Sequence, residues 1–256
     1  MTMLGLPFRL KRAFLEWFDL GPGRDRMPAN VEHVYRVPPL TEEYVAAIRL
    51  IAPQCDYPPE EKYRDEWERI QNEACWTEFR ALQPVLAGLP KPRRVLEIGP
   101  GLGRSLVFFS RKLDWSEAEL HAYEGDGTAT KYTKLGPRFE DSFCGNIALL
   151  RQSLEFNGLR HVQIHDAYQG RLAALPGPFD VIYSFYSIGF HWSLEHFLDD
   201  ILALLSDRGT AIFIVPSSFL DFPQLKALHF KKIPLYPTER KEKNRHHLLL
   251  VRKMPF

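Results

Sequence analysis

The chain is predicted to be an α/β protein with a mainly parallel sheet, preceded by a helical segment. From Lys91 onward, short apolar runs alternate with stretches of helical length, the pattern of successive strand–helix–strand units. One of these runs, Arg94–Ile98, ends in glycines that open directly onto a helix. Before residue 91 the readable elements are helices instead, which places a boundary there: residues 1–90 form a helical N-terminal extension, and residues 91–256 form the α/β domain.

In the extension, residues 7–20 predict a helix with Pro7 in its first turn and Gly21 beyond its end. Leu10, Phe14, Trp17 and Phe18 share one face, and Arg9, Arg12, Glu16 and Asp19 oppose them. Residues 21–40 are rich in Gly and Pro and read as an extended connector. A second helix is expected over Thr41–Ile51 with Thr41 as its cap, and a third over 59–88, where Pro84 introduces a bend. In the domain, strands are expected at Arg94–Ile98, Leu120–Tyr123, Val162–His165, Phe179–Phe185 and Thr210–Val215. Helices are expected at Leu102–Leu113, Cys144–Asn157 (closed by Gly158) and Leu194–Leu205. Phe230–Leu235 and His246–Lys253 predict a terminal hairpin with a charged turn.

Composition narrows the class. Apolar residues make up 45% and charged residues 25%, as expected of a packed globular chain. A formal net charge of +1 gives no global field toward nucleic acid or an acidic substrate. Cys55, Cys75 and Cys144 are an odd, scattered set without CxxC spacing, which argues against a disulfide framework and for a reducing compartment. No apolar run reaches the ~20 residues of a membrane span, and Arg9, Lys11 and Arg12 interrupt any leader-like stretch, so a cytoplasmic location is expected.

The glycine turn carries the functional argument. Strand, glycine turn and helix bring bare backbone and a helix N-terminus up to a ligand. The spacing is Gly99-x-Gly101-x-Gly103, with Arg104 next. A dinucleotide fingerprint wants a small residue at the position Arg104 occupies, so a nicotinamide cofactor is disfavoured. Glu97 sits inside an otherwise buried strand, where a carboxylate needs a cationic or hydrogen-bonding partner. A ligand with an ammonium and a sulfonium would supply one.

The run Val95-Leu96-Glu97-Ile98-Gly99-Pro100-Gly101-Leu102-Gly103 resembles the first motif of class I methyltransferases dependent on S-adenosyl-L-methionine (SAM). The resemblance covers roughly residues 91–256 and implies a Rossmann-like seven-stranded sheet, mostly parallel, with an antiparallel last strand. It also implies SAM as cofactor, held by Glu97, Gly99, Gly101 and Gly103, and a ribose-binding role for Glu124 at the end of the second strand. Asp166, at the end of the third, would read the adenine edge together with Ala167. Acids on successive strand ends beside the glycine turn lie where open α/β sheets place ligands.

After the fourth strand, Ser184-Phe185-Tyr186-Ser187-Ile188-Gly189-Phe190-His191-Trp192 is the segment that in this family faces the methyl group, with Ser184 on the cofactor side. Histidine titrates in the range useful for removing a hydroxyl proton, which makes His191 the candidate catalytic base; alternatively, His191 and Trp192 only anchor the loop. Tyr183, Tyr186 and Trp192 suit either an aromatic wall around a sulfonium or plain core. The same segment is similar to a bacterial subgroup of sugar O-methyltransferases. Neither His191, Glu195 and His196 nor the face-alternating His246 and His247 make a recognised metal spacing, so no metal is expected.

The leading expectation is methyl transfer from SAM to a hydroxyl of a small-molecule or saccharide acceptor, with the N-terminal helices covering the acceptor pocket. Rival readings are a nicotinamide-dependent oxidoreductase, a non-catalytic SAM-binding module, and an RNA or protein methyltransferase using the basic tail around Lys231, Lys232, Arg240 and Arg245. Nucleic acid is the less favoured partner because no aromatic-interleaved RNA motif is present, and residues 7–20 leave room for peripheral membrane contact.

Overall fold

The structure is a computed structural model that describes residues 27–39, 41–42, 45, 64–86, 89–125, 146–185, 187–188, 194–216, 225, 228–234 and 246–253. The expected helix over 7–20, most of that over Thr41–Ile51, and Cys55 and Cys144 lie outside these residues. The elements are α1 (Arg64–Leu86), β1 (Arg94–Ile98), α2 (Arg104–Lys112), β2 (Glu119–Glu124), α3 (Ile147–Phe156) and β3 (Gln163–Asp166). They continue with β4 (Phe179–Phe185), α4 (Leu194–Leu204), β5 (Leu205–Pro216), β6 (His229–Pro234) and β7 (His246–Arg252).

The strands form one seven-stranded sheet in the order β3-β2-β1-β4-β5-β7-β6. β1 through β5 pair in parallel, while β7 runs antiparallel to both β5 and β6. This is the expected sheet with its antiparallel last strand. β1 is central and has apolar neighbours on both faces, which is why its run reads as continuously buried. One difference lies in β5, which begins at Leu205, directly after α4, rather than at Thr210. The register between β4 and β5 shifts between Phe179 and Val181, and Gly209 sits in that irregularity. A Cβ on Gly209 would come within 2.8 Å of the Phe179 carbonyl oxygen, so only glycine lets the two backbones approach.

Apolar side chains bury on both faces of the sheet. On one face α4 supplies Leu194, Leu198 and Ile201 against Leu96, Ile182 and Phe213. On the other, Phe79 and Leu82 of α1 pack with Phe108 and Phe109 of α2, alongside Val95 and Tyr183 of the sheet. Pro84 sits in the last turn of α1, and the helix continues to Leu86. α3 starts at Asn146, whose side chain accepts the Leu149 N–H at 2.9 Å, and stops at Gly158 with φ 80.

The connector over residues 31–37 is held across α1 and α3 by side chains. Asn72 accepts the Tyr35 N–H (2.8 Å) and donates to the Tyr35 carbonyl (2.8 Å), as a neighbouring strand would. Asn157 does the same for Arg36 (2.8 and 2.8 Å), and Glu68 accepts the Val37 N–H at 2.9 Å. The Tyr35 ring enters the core, and its hydroxyl meets Ser153 at 3.2 Å. Asn72→Ala removes these bonds and strands buried backbone groups, so we expect a loss of about 2–4 kcal/mol. Urea denaturation monitored by circular dichroism measures it.

Candidate functional site

Strand register brings the expected site residues to one edge. Glu124 pairs with Asp166 across β2 and β3, and Gly99 donates its N–H to the Tyr123 carbonyl at 2.9 Å. The glycine turn and the acids ending β2 and β3 therefore share the carboxyl edge of the sheet. Just below the acids, His121 and His165 stack at 5.3 Å between centroids with ring nitrogens 3.0 Å apart, tying β3 to β2. Burial and then the Arg94 charge push His121 down to about 4, so that ring is neutral at pH 7.

The three glycines of the turn do different work. All have positive φ: 69 at Gly99, 58 at Gly101 and 80 at Gly103. A Cβ on Gly101 would meet nothing within 4 Å, so bare backbone there faces open space. A Cβ on Gly103 would lie 2.8 Å from Leu154 and 3.0 Å from Leu150 of α3. Gly103 thus supplies the close packing that a dinucleotide fingerprint assigns to the next position, which leaves Arg104 free to be large. Gly103 is also the N-cap of α2 and makes no side-chain cap bond.

Glu124 grips the turn. Its Oε2 accepts the Gly101 N–H at 2.8 Å, and its Oε1 accepts the Gly125 N–H at 2.9 Å. Burial pushes its carboxyl up to about 7, against the lowering effect of those two bonds. Each oxygen keeps a lone pair for a further donor. Asp166 Oδ1 accepts the Tyr168 N–H at 2.9 Å, and the Ala167 N–H donates to the Glu124 carbonyl at 2.9 Å. The Ala167 N–H is therefore already committed to the backbone.

Glu97 is buried, but its partners belong to the protein. Ser105 donates to Oε1, and Tyr183 donates to Oε2 at 3.0 Å. These two hydroxyls meet the hydrogen-bonding need that the sequence left open, with no ligand ammonium required. Burial still pushes Glu97 up to about 7. Tyr183 packs among Phe109, Trp115 and Phe185, so it is core and not a cleft wall. Ser184 is fully buried, and its hydroxyl accepts the Ile188 N–H at 3.1 Å, shaping the loop after β4. His191, Tyr186 and Trp192 lie outside the described residues.

Sequence reasoning missed two contacts. Ser187 donates to the Gly99 carbonyl at 2.9 Å and so fastens the loop after β4 to the glycine turn. Arg104 pairs with Glu78 of α1 at 2.9 Å. The placement of Arg104 just after the turn was the available signal, but its partner was not readable. Among the described residues, no group of three or more His, Cys, Asp or Glu is placed to hold a metal, and no helix is long and apolar enough to cross a membrane.

The methyltransferase-domain family matches residues 66–249. Similar solved structures include a precorrin-6y C5,15-methyltransferase from Geobacter metallireducens: 16% identity, TM-score 0.47, covering 72% of this chain and 89% of that one. An S-adenosylhomocysteine-bound methyltransferase from Podospora anserina shows 18% identity and TM-score 0.43 over 97% and 98% of the two chains. A glycopeptide N-methyltransferase complexed with SAM shows 14% identity and TM-score 0.44 over 68% and 92%. No curated protein matches the sequence. The chain belongs to the methyltransferase family, that of the class I SAM-dependent enzymes, and its cofactor is SAM. The open space at Gly101 and the free lone pairs of Glu124 fit such a molecule.

Two expectations follow. Gly103→Ala meets both a left-handed backbone and α3, so it should cost about 2–4 kcal/mol, whereas Gly101→Ala should cost only about 1–2 kcal/mol yet weaken SAM binding. Thermal melts alongside calorimetric titration of each variant separate these effects. The second expectation concerns pH. Burial raises Glu124 to about 7, so its carboxylate form, the better acceptor for any hydroxyl donor, gains population above that pH. SAM affinity should therefore rise from pH 6 to pH 8 with release of a proton. Titrations in buffers of different ionisation enthalpy measure that release.

Proposed function

We propose that this methyltransferase methylates a hydroxyl of a small-molecule or saccharide acceptor. The observation that carries the reading is the Ser187 bond to the Gly99 carbonyl, which seats the start of the loop after β4 against the glycine turn. That loop leads on to His191. A base on this segment would approach the cofactor from the acceptor side, where alignment supplies much of the rate.

In this reading the Gly99–Gly103 turn offers backbone groups to the methionine arm, beside Glu97. Glu124 accepts both ribose hydroxyls while keeping its grip on Gly101. Asp166 and Ala167 border the adenine, with the free oxygen of Asp166 as the acceptor. Ser184 contributes by holding the loop through Ile188. When bound, SAM supplies an electrophilic methyl on its sulfonium. His191 takes the acceptor's hydroxyl proton as the oxygen attacks that methyl. The carbon–sulfur bond electrons stay on sulfur, and S-adenosylhomocysteine leaves. The helical extension over residues 1–90 covers the acceptor in this scheme.

A methyl-transfer assay with labelled SAM against a panel of saccharides and small hydroxyl compounds tests the reading. His191→Ala should lower kcat by about 100-fold or more while leaving the SAM dissociation constant within about two-fold. Glu124→Ala should weaken SAM binding itself. Turnover on amine acceptors alone, or unchanged kcat in His191→Ala, would overturn the hydroxyl assignment.

A further inference from the structure

β3 lies at one edge of the sheet and ends in Asp166. It is four residues long, pairs with β2, and has no fully buried side chain. Its side chains alternate between the two faces of the sheet. Ile164 packs at the margin of one core, and His165 turns to the other face, where it meets His121 of β2. His121 is 0% exposed, and the Phe179 ring meets it edge-on at 5.0 Å. Among the described residues, His165 is the β3 side chain that reaches a fully buried partner on that face.

Donors and acceptors around the pair fit one arrangement. His121 Nδ1 lies 3.0 Å from His165 Nε2, and His121 Nε2 lies 3.5 Å from Arg94 Nη2. A guanidinium only donates, so His121 Nε2 accepts, its Nδ1 carries the hydrogen, and His165 Nε2 receives it. An added proton spoils this order whichever ring takes it. On His121 it occupies Nε2. On His165 it makes Nε2 a donor, so His121 Nδ1 must accept and the His121 hydrogen moves to Nε2. Either way an N–H is turned against the guanidinium, or the bond between the strands is lost. Arg94 is itself held, with its guanidinium 4.9 Å from the Phe179 ring centroid and its Nε bonded to Glu119 at 3.0 Å. That carboxylate opposes the effect only in part, because its Oε2 stands 3.7 Å from His121 Nε2. Among the described residues, the other charges nearby are Asp180 of β4, which accepts the Arg94 N–H, and Asp200 of α4 and Asp166, which act on Tyr123. Burial and then the Arg94 charge hold both rings below the ordinary histidine value, His121 at about 4.

We propose, resting on the reading that places adenine beside Asp166, that the His121–His165 pair is an acid-sensitive latch on the cofactor edge. With both rings neutral it holds β3 against β2; with a proton added it loosens the strand that carries Asp166 and leads into Ala167. Released rings take up protons at the ordinary value of 6.5, so acid favours the loosened form. The stabilisation is whole above 6.5 and is lost as pH falls from there toward about 4. SAM acts in the opposite direction, because it binds this edge only while β3 is seated. Acid and cofactor thus compete for the same strand.

The test is hydrogen–deuterium exchange of the full chain at pH 7.5 and pH 5.5, corrected for the intrinsic pH dependence of the exchange chemistry. Protection of β3 should fall about ten-fold or more at pH 5.5 relative to that of α2, since one unit below the ordinary value favours a released histidine by that factor. The fall should vanish in the double variant His121→Gln with His165→Gln, which bonds through amides and does not titrate. Wild-type β3 protection that holds at pH 5.5, a loss shared equally by α2, or the same fall in the double variant overturns the proposal. Should the double variant give no cooperative melt, His165→Gln alone decides: a smaller fall supports the latch, and an equal or larger one overturns it. SAM at about 100 times its dissociation constant should raise β3 protection at pH 5.5 by about 100-fold. Acid loosening that SAM leaves unchanged would overturn the placement of adenine beside Asp166, a result distinct from failure of the latch.

Discussion

The carboxyl edge of the sheet depends on the hydrogen bond by which Glu124 accepts the Gly101 N–H. A turn built of left-handed glycines has little side-chain packing to fix it, and glycine loses the most conformational freedom on ordering. A buried carboxylate on the neighbouring strand compensates, anchoring the middle of the turn to β2. Desolvation raises the cost of the ionised group, and the two N–H donors offset part of it. The acid that holds the turn in shape is thus also the acid proposed to meet the ribose.

Around this centre the molecule is organised by shared helices. α1 belongs to the extension by sequence, yet Phe79 and Leu82 lie in the same core as Val95 and Phe109. The family match starts at residue 66, within α1. Arg104 extends that union to the glycine turn through Glu78. Helix and turn are consequently coupled by packing and by charge.

Much of the fold was legible because strand and helix periods are local signals. Arg94–Ile98 and Phe179–Phe185 match the expected strands, and Gly158 ends α3 as anticipated. β5 begins earlier than expected because the backbone continues pairing through the irregularity at Gly209, which looks like a terminator in sequence. The site was legible as a set of strand ends but not as a set of contacts. Tyr183 reaches Glu97 from 86 positions away, and Asn72 clasps Tyr35 from 37 positions away. Such meetings depend on sheet order and helix packing, which no residue pattern encodes directly. Ser184 and Tyr183 carried ligand roles by type alone; the partners their hydroxyls meet, the Ile188 N–H and Glu97, were not readable from the chain.

The clasp formed by Asn72 and Asn157 bears on how the leading part of the chain is attached. Both asparagines bind main-chain atoms of residues 35 and 36, which every non-proline residue possesses. Arg36 is exposed, and its side chain makes none of these bonds. The constraint from the clasp therefore falls on the two holders and on the inserted Tyr35 ring, while Arg36 is held there through its main chain and lays its guanidinium over the Phe156 ring. The clasp thus gives the segment that leads into it a fixed point of attachment to α1 and α3, with Val31 of that segment already seated in the core.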